Sequence, residues 1–284
     1  MPHVTLQTAR GEICRLRCGK ELKEFAMRWS YIASQRHRWA GDAETRRRHA
    51  DQLRSDFRSI GLPPSKLRQL HGVVQVTVPE SKNDRHWEAN ILPWEFTLAT
   101  ASQLERGDAP ILVIRHLNTH RQRRTRHPSR LALIESAPGI LADHYRVSSG
   151  HDFVAGSFSD SCGAPVVVAS HPTEAELTAT LQRHSPDVIH VAAVDNRGGR
   201  RALGKEQQGV RDGFWLSDAS GQPTECRAER LATLLNTGTP NPLLVGFDCW
   251  DSGSRLAAMT VRCGAAAAVG FQFLYDEAVA ETFF

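Results

Sequence analysis

The sequence has no long hydrophobic run, and this absence excludes two kinds of protein. No apolar stretch approaches the roughly 18–20 residues that a membrane-spanning helix needs. The first residues, MPHVTLQTARGE, also lack the apolar centre of a secretory signal. We therefore expect a cytoplasmic protein without a membrane segment.

Cysteine is sparse, and its spacing fits no metal site. Cys14 and Cys18 have no matching second pair, and no set of cysteines and histidines has the spacing of a zinc site. Thiols stay reduced in the cytoplasm. We therefore predict free thiols, no metal and no cofactor. The six cysteines are Cys14, Cys18, Cys162, Cys226, Cys249 and Cys263.

Acidic residues are missing from one segment, 115–130, although the whole chain is only mildly basic, with a net charge of +4. The segment reads RHLNTHRQRRTRHPSR and holds six arginines and three histidines. One interpretation is an exposed, mobile loop that joins two halves of the chain. The other is a site for phosphate, an acidic partner or nucleic acid. Because no aromatic residues are interleaved to stack on bases, the loop is the favoured interpretation.

Hydrophobic periodicity divides the chain into three regions. Residues 1–65 predict a helical region, because apolar side chains repeat at helical spacing around Phe25 and again around Phe57. Residues 66–129 predict a small α+β lead-in with two strands, followed by the basic loop. Residues 130–284 carry a regular alternation of apolar strands and amphipathic helices.

This alternation predicts an α/β fold, in which a mostly parallel sheet has helices on both faces and follows a smaller α+β region. Thr173 and Glu176 fit a capping box at the start of one helix, and Gly264 fits the end of another. A hairpin is predicted around DGFWLSDASG. The predicted sheet strands lie near 131–136, 166–170, 187–194, 243–248 and 267–273.

Cys249 follows the apolar run LLVGFD directly, in a turn that reads CWDSG. Open α/β sheets form their sites at the carboxyl ends of strands. A helix is predicted to start two or three residues later, and its positive end would lower the thiol pKa. The position therefore favours a nucleophile, while the alternative is a small buried residue at a strand end.

Four segments occur in the order and spacing of a CHAT domain, a branch of the caspase-like cysteine peptidases. They are SPDVIHVAAV, RDGFWLSDASG, NPLLVGFDCWDSG and CGAAAAVGFQFLYDEAVAETFF, and ILPWEF at 91–96 resembles the lead-in of the family. The resemblance covers roughly residues 73–284. It implies a caspase-like fold for 130–284 and a role in a bacterial regulatory or defence system. The family usually continues beyond the last of these segments, whereas this chain ends at Phe284.

The resemblance also implies the site residues. Cys249 matches the nucleophile of the family, and His190 matches a histidine inside the preceding strand. The general-base histidine and the glycine after it fall at Val194 and Asp195, so the expected base is missing. His190 lies deep in the strand, and His171, at the end of another strand, is the remaining candidate for the base.

Three acidic residues lie at the predicted strand tips, and we expect them to favour a basic residue in a substrate pocket. They are Asp195, Asp248 and Asp251.

The missing base leads to three hypotheses for function. The first is a catalytically impaired scaffold that binds a protein partner and retains Cys249. The second is an active cysteine endopeptidase in which Cys249 works with a non-standard base such as His190. The third is a nucleic-acid-associated module that uses residues 115–130. If only the base is missing, replacing Val194 by His and Asp195 by Gly should raise the reactivity of Cys249.

Overall fold

The computed structural model describes residues 2–34, 43–79, 88–107, 111–117, 127–147, 151–163, 165–205, 212–253 and 255–271. They belong to two compact units, Met1–His120 and Arg121–Phe284. Each unit has its own hydrophobic core. No described helix is both long enough and apolar enough to span a bilayer.

The first unit is a mixed four-stranded sheet packed against helices. Its strands are β1 (His3–Thr8), β2 (Gly11–Arg17), β3 (Gly72–Val78) and β4 (Ile111–Leu117), in the order β2-β1-β3-β4. β1 is antiparallel to both of its neighbours, and β3 and β4 are parallel. The helices are α1 (Lys20–Ser34), α2 (Ala43–Ser59), α3 (Pro64–Leu67), α4 (Glu88–Ile91) and α5 (Trp94–Arg106).

The prediction that residues 1–65 are a separate helical region needs correction. Both predicted helices are present as α1 and α2, but β1 and β2 precede them as a hairpin. Alternating apolar residues, among them Val4, Leu6 and Leu16, are buried on one side of that hairpin. They share one core with Phe57 and with Leu98 of the predicted lead-in, so the predicted helical region and the lead-in up to His120 form one compact unit.

The second unit is built on a sheet of five parallel strands, which confirms the predicted α/β fold. The strands are β5 (Leu131–Ser136), β6 (Val166–Ser170), β7 (Val188–Ala193), β10 (Leu244–Asp248) and β11 (Ala267–Gly270). Their order is β11-β10-β7-β5-β6, so β7 and β10 are adjacent and parallel, as predicted. The predicted hairpin is also present, as β8 (Gly213–Ser217) and β9 (Pro223–Arg227).

Five α-helices and a short 3₁₀ helix, Gly139–Asp143, accompany the described part of this sheet. The α-helices are α6 (His151–Cys162), α7 (Glu174–His184), α8 (Asn196–Ala202), α9 (Ala228–Leu234) and α10 (Leu256–Cys263). The capping box at the start of α7 is confirmed, because Thr173 and Glu176 exchange hydrogen bonds between side chain and backbone. Buried leucines of α7, α9 and α10 pack in one cluster with the sheet residues Val191 and Phe247.

The sheet presents two faces with different chemistry. Strand side chains alternate between the faces, and the pairing of His190 with Leu133 and Gly246 puts these three residues on the same side. We call this side the histidine face. The opposite side carries Ile134, Val191 and Phe247, and we call it the leucine face because the helical leucines cover it.

The basic segment 115–130 is only partly described. Arg115 lies in β4 and donates hydrogen bonds to both carboxylate oxygens of Glu95, at 2.7 and 2.9 Å, and to the Asn90 carbonyl at 2.6 Å. Arg130 lies next to β5, with its Nε 3.9 Å from Asp187 Oδ2. These two arginines therefore contact acidic residues of the folded units. The prediction of an exposed, mobile loop needs correction at these two positions. Residues 118–126 lie outside the described residues.

Candidate functional site

The candidate site lies at the carboxyl edge of the parallel sheet, where α/β proteins of this strand order bind ligands. Asp195 follows β7, Asp248 ends β10, and Cys249 and Asp251 lie in the turn after β10. These groups interact electrostatically, because the negative charge of Asp195 raises the pKa values of both Cys249 and Asp251. The predicted nucleophile and predicted acids are thus brought together.

Cys249 is buried, with 2% of its surface exposed, and belongs to the core of the leucine face. Burial raises the pKa of its thiol far above the ordinary value, and the charge of Asp195 raises it further. The predicted lowering of this pKa is therefore wrong. Helix α10 begins only at Leu256 and is preceded by a turn, so its positive end is not next to the sulfur.

His190 and Cys249 are on opposite faces of the sheet. Asp248 pairs with Ala192, and both share the histidine face with His190, so the next residue, Cys249, projects to the leucine face. The membership of Cys249 in the leucine-face core agrees with this assignment. The structure therefore does not bring together the two residues expected to be catalytic.

His190 instead belongs to a buried polar cluster on the histidine face. Its ring packs edge-on against His151 of α6, with the ring centroids 5.3 Å apart. His151 Nδ1 lies 2.8 Å from a carboxylate oxygen of Glu135, and the other oxygen accepts a hydrogen bond from Ser170. Burial, with the nearby charge of His151, lowers the pKa of His190 to about 4.

Sequence reasoning did not single out His151 or Glu135. His151 comes from a helix, whereas Glu135 and His190 come from two paired strands that are far apart in the chain. The only local signal was a charged residue, Glu135, inside an otherwise apolar strand run.

Val194, which stands where the resemblance expects the base, is a core residue. It packs with Ala137, Leu141 and Trp215 in a cluster separate from that of Cys249. Its position in the strand alternation is that of His190 and Ala192, on the histidine face. An imidazole at this position would therefore project away from the sulfur of Cys249.

Asp195 has a structural role at the N-terminus of α8. Its Oδ1 accepts hydrogen bonds from the backbone N–H groups of Arg197 and Gly198, both at 2.9 Å, and so caps the N-terminus of α8. Burial raises the pKa of Asp195, while these hydrogen bonds act in the opposite direction.

Asp251 has a strongly perturbed pKa. Burial raises its pKa to about 6, and the charges of Asp212 and Asp195 act in the same direction. Asp212 has a raised pKa as well, mainly through burial, and sequence reasoning had not included it. Three acids, Asp195, Asp248 and Asp251, therefore act on Cys249, and Asp212 acts on Asp251.

The turn after Cys249 is fastened to the end of β11. Ser252 Oγ donates to the carbonyl of Cys249 at 2.7 Å and accepts from the Phe271 N–H at 3.1 Å. The Gly253 N–H donates to the Phe271 carbonyl at 2.7 Å. A Cβ on Gly253 would lie 2.6 Å from the Gly270 carbonyl oxygen, so only glycine fits this approach.

His171, the other candidate for the base, serves the fold at the β6 end of the sheet. It adopts a left-handed backbone with φ of 47°. Its Nδ1 accepts a hydrogen bond from the Ala137 N–H at 3.1 Å, which fixes the neutral tautomer that carries its proton on Nε2. Ser217 Oγ donates to its carbonyl. These contacts hold His171 beside β5, two strands away from β10.

The described residues contain no group of three or more His, Cys, Asp or Glu side chains arranged to hold a metal ion. Comparison with protein-family models gives no match to this chain. Comparison with curated proteins gives none either.

Proposed function

We propose that this chain is a CHAT-related, caspase-like protein of a bacterial regulatory or defence system. In this proposal its peptidase centre is disabled, and its carboxyl edge binds a protein partner. The single observation that carries the proposal is the placement of Cys249 in the leucine-face core, across the sheet from His190. A cysteine peptidase needs its base within hydrogen-bonding reach of the sulfur.

The electrostatics of the edge support the same conclusion. The nucleophile of a cysteine peptidase is the thiolate, which burial and nearby negative charge both disfavour. Both act on Cys249, through the core around it and through Asp195, Asp248 and Asp251. The alternative, an active endopeptidase with a non-standard base, would require a rearrangement that exposes Cys249 and brings an imidazole to it.

The proposed partner contributes a basic side chain to the acidic edge. Asp248 and Asp251 are only half-buried, so a guanidinium or ammonium group can approach them from solvent. Such a group would lower the pKa of Asp251 and favour its charged form. Arg197 already has this effect on Asp251 to some extent, so we propose that the partner competes with an internal arginine.

Thiol alkylation with peptide mapping tests the disabled centre. We expect iodoacetamide at neutral pH to modify Cys249 much more slowly in the folded chain than in the chain unfolded in urea. Cys263, which is only half-buried, is the internal control. Peptide substrates with Lys or Arg should not be cleaved above the level of Cys249→Ala. Turnover that Cys249→Ala abolishes would instead establish the active peptidase.

Matched peptides test the partner surface. A short peptide amide with a central arginine should bind more tightly than the same peptide with citrulline, which keeps the shape and removes the charge. Asp251→Asn should remove this difference, because it removes the carboxylate while keeping the shape of the side chain. Equal binding of both peptides to the unmodified chain would contradict a basic partner.

A further inference from the structure

Helix α6 has only a weak apolar attachment to the second unit. His151, its first residue, is the one buried side chain of α6 among those that the structure describes. Val154, Ala155 and Phe158 are only half-buried, and Phe153 is 61% exposed. A helix with so little buried apolar surface belongs to the parts of a protein that open at low cost in free energy. The attachment of α6 therefore depends on His151 and on the residues around it.

His151 and His190, which we call the histidine pair, form a buried contact between α6 and the sheet. They are 4% and 5% exposed, and their rings meet edge-on. Nδ1 of His151 lies against the carboxylate of Glu135, which only accepts hydrogen bonds, so this nitrogen carries a proton. The other nitrogen, Nε2, is buried and has no hydrogen-bond partner among the described residues. A proton added there would create a buried donor without an acceptor, which is costly.

The carboxylate beside the histidine pair balances at most one positive charge. Glu135 of β5 contacts the pair, and its other oxygen is occupied by Ser170 of β6, which is neutral. β10 places Gly246 beside the pair, and Asp248 lies further along the same face, with its Cα about 8 Å from that of the strand histidine. Asp152, the second residue of α6, is exposed. The positive N-terminus of α6 also opposes a charge on its first residue.

We propose that mild acid releases α6 from the histidine face, because two protonated imidazoles cannot share one buried site with a single carboxylate. At neutral pH α6 packs against β5, where Leu133 of the histidine face is 1% exposed. Release makes this face and its imidazoles accessible to solvent, so α6 is a pH-sensitive cover of the sheet. The inference does not depend on the proposed function of the carboxyl edge.

The sign of the pH dependence follows from His190. Burial and the nearby charge of His151 hold the pKa of His190 at about 4, against an ordinary value of 6.5. Release of α6 exposes the ring to water, which returns its pKa towards the ordinary value. Between these two values the open form binds a proton that the closed form excludes, so a falling pH favours the open form. Docking of α6 is therefore fully stable above pH 6.5 and weakens as the pH falls towards 4.

Hydrogen exchange of the full chain, followed by mass spectrometry, tests the release. Protection factors correct for the intrinsic pH dependence of exchange. In α6 they should fall roughly 10- to 30-fold from about pH 7.5 to about pH 5, for a pKa shift of this size. Equal protection of α6 at both pH values would overturn the proposal.

Low concentrations of urea separate the release of α6 from unfolding of the whole unit. Release exposes little new surface, so the exchange of α6 in acid should be nearly independent of urea below the unfolding transition. The exchange of α7, which packs in the leucine-face core, should be slower and should accelerate with urea. Equal urea dependence of the two helices would overturn the proposal, because α6 would then open only together with the rest of the unit.

Two variants test the roles of the individual groups in the same exchange experiment. His190→Asn should remove most of the pH dependence of α6, because the amide is not protonated. Glu135→Gln keeps an acceptor for His151 and removes the balancing charge, so α6 should lose protection at a higher pH. His184→Asn, at an exposed position of α7, is the matched control and should leave the profile unchanged. An unchanged profile in either His190→Asn or Glu135→Gln would overturn the proposal.

Discussion

Single residues decide the chemistry of the carboxyl edge, and Cys249 and Val194 illustrate how. The resemblance to CHAT domains implies that they stand at the positions of a nucleophile and a base at neighbouring strand tips. The alternation of strand side chains nevertheless puts them on opposite faces, within two separate apolar clusters. The loss of catalysis that we propose therefore depends on the face to which each side chain projects as well as on the residue type.

Replacing Val194 by His and Asp195 by Gly should not increase the reactivity of the Cys249 thiol. The imidazole would project into the buried cluster around Trp215, and the glycine would remove the side-chain cap of α8, at a cost of about a few tenths of a kcal/mol in the free energy of unfolding. We expect an unchanged alkylation rate for Cys249 and a lower midpoint in urea. Asp195→Asn is the control, because it keeps an oxygen for the two backbone donors. A tenfold faster alkylation in the double variant, on the order of 1.4 kcal/mol, would refute the assignment of faces.

His190 should make the protein less stable in acid. Its pKa is about 4 in the folded chain, against an ordinary value of 6.5, so between these values the unfolded chain binds a proton that the folded chain does not. The stability is fully present above pH 6.5 and is lost as the pH falls towards 4, by ~3 kcal/mol for a shift of this size. Urea unfolding across this range should therefore be less pH-dependent in His190→Asn. The exposed His184→Asn should leave the profile unchanged.

Asp251 should instead make the protein more stable as the pH falls, over almost the same pH range as His190. Its folded pKa of about 6 lies above the ordinary 3.8, so the folded chain gains stability as the pH falls from 6 towards 4. Asp251→Asn should raise the stability of the protein at neutral pH and remove the gain as the pH falls. Without that gain, the loss of stability in acid that His190 causes should be steeper. Asparagine also tolerates the left-handed backbone of Asp251, whose φ is 55°. A variant that is less stable than the unmodified chain at pH 7 would show that this carboxylate is stabilising.

The turn after β10 depends on its attachment to the end of β11. Gly253→Ala puts a Cβ against the backbone of Gly270, and backbone atoms must move. We expect a loss of about 1–3 kcal/mol and faster alkylation of Cys249. Gly156→Ala in α6 is the matched control, because nothing lies near its Cβ and alanine favours a helix. Equal stability of the two variants would contradict the close approach.

Sequence patterns located most elements of the fold but not their register. Each strand of the parallel sheet is a largely apolar run, and the predicted bounds of β5, β6, β7 and β10 agree with the structure within one residue. The predicted start of β11 is confirmed, while residues 272–273 of its predicted end lie outside the described residues. Which face of the sheet Cys249 lies on relative to His190 depends on the register that pairs His190 with Gly246. This pairing joins strands far apart in the sequence, so local patterns do not predict it. The β1–β2 hairpin was missed because short alternating strands next to a strong helical pattern give a weak signal.

Each of the two units has its own core, so we expect the damage from a core substitution to stay within the unit that carries it. Phe57→Ala should cost about 3–5 kcal/mol and reduce the hydrogen-exchange protection of β3, while β7 keeps its protection. Phe247→Ala should give the reverse pattern. Loss of protection in both units from either variant would show that the units unfold together.

The strand order of the second unit also determines when it can fold during synthesis. Leu131 pairs with Val188, and Val188 pairs with Leu244, so each of these ladders closes a loop of about 56 residues. The central strand β7 therefore leaves the ribosome with one side unpaired, and it stays so until β10 has been made. During that interval its unpaired backbone N–H and C=O groups and its apolar side chains are a target for other nascent chains. Long-range pairing of this kind is slow, so the yield of native protein should depend on the rate of translation and on chaperones.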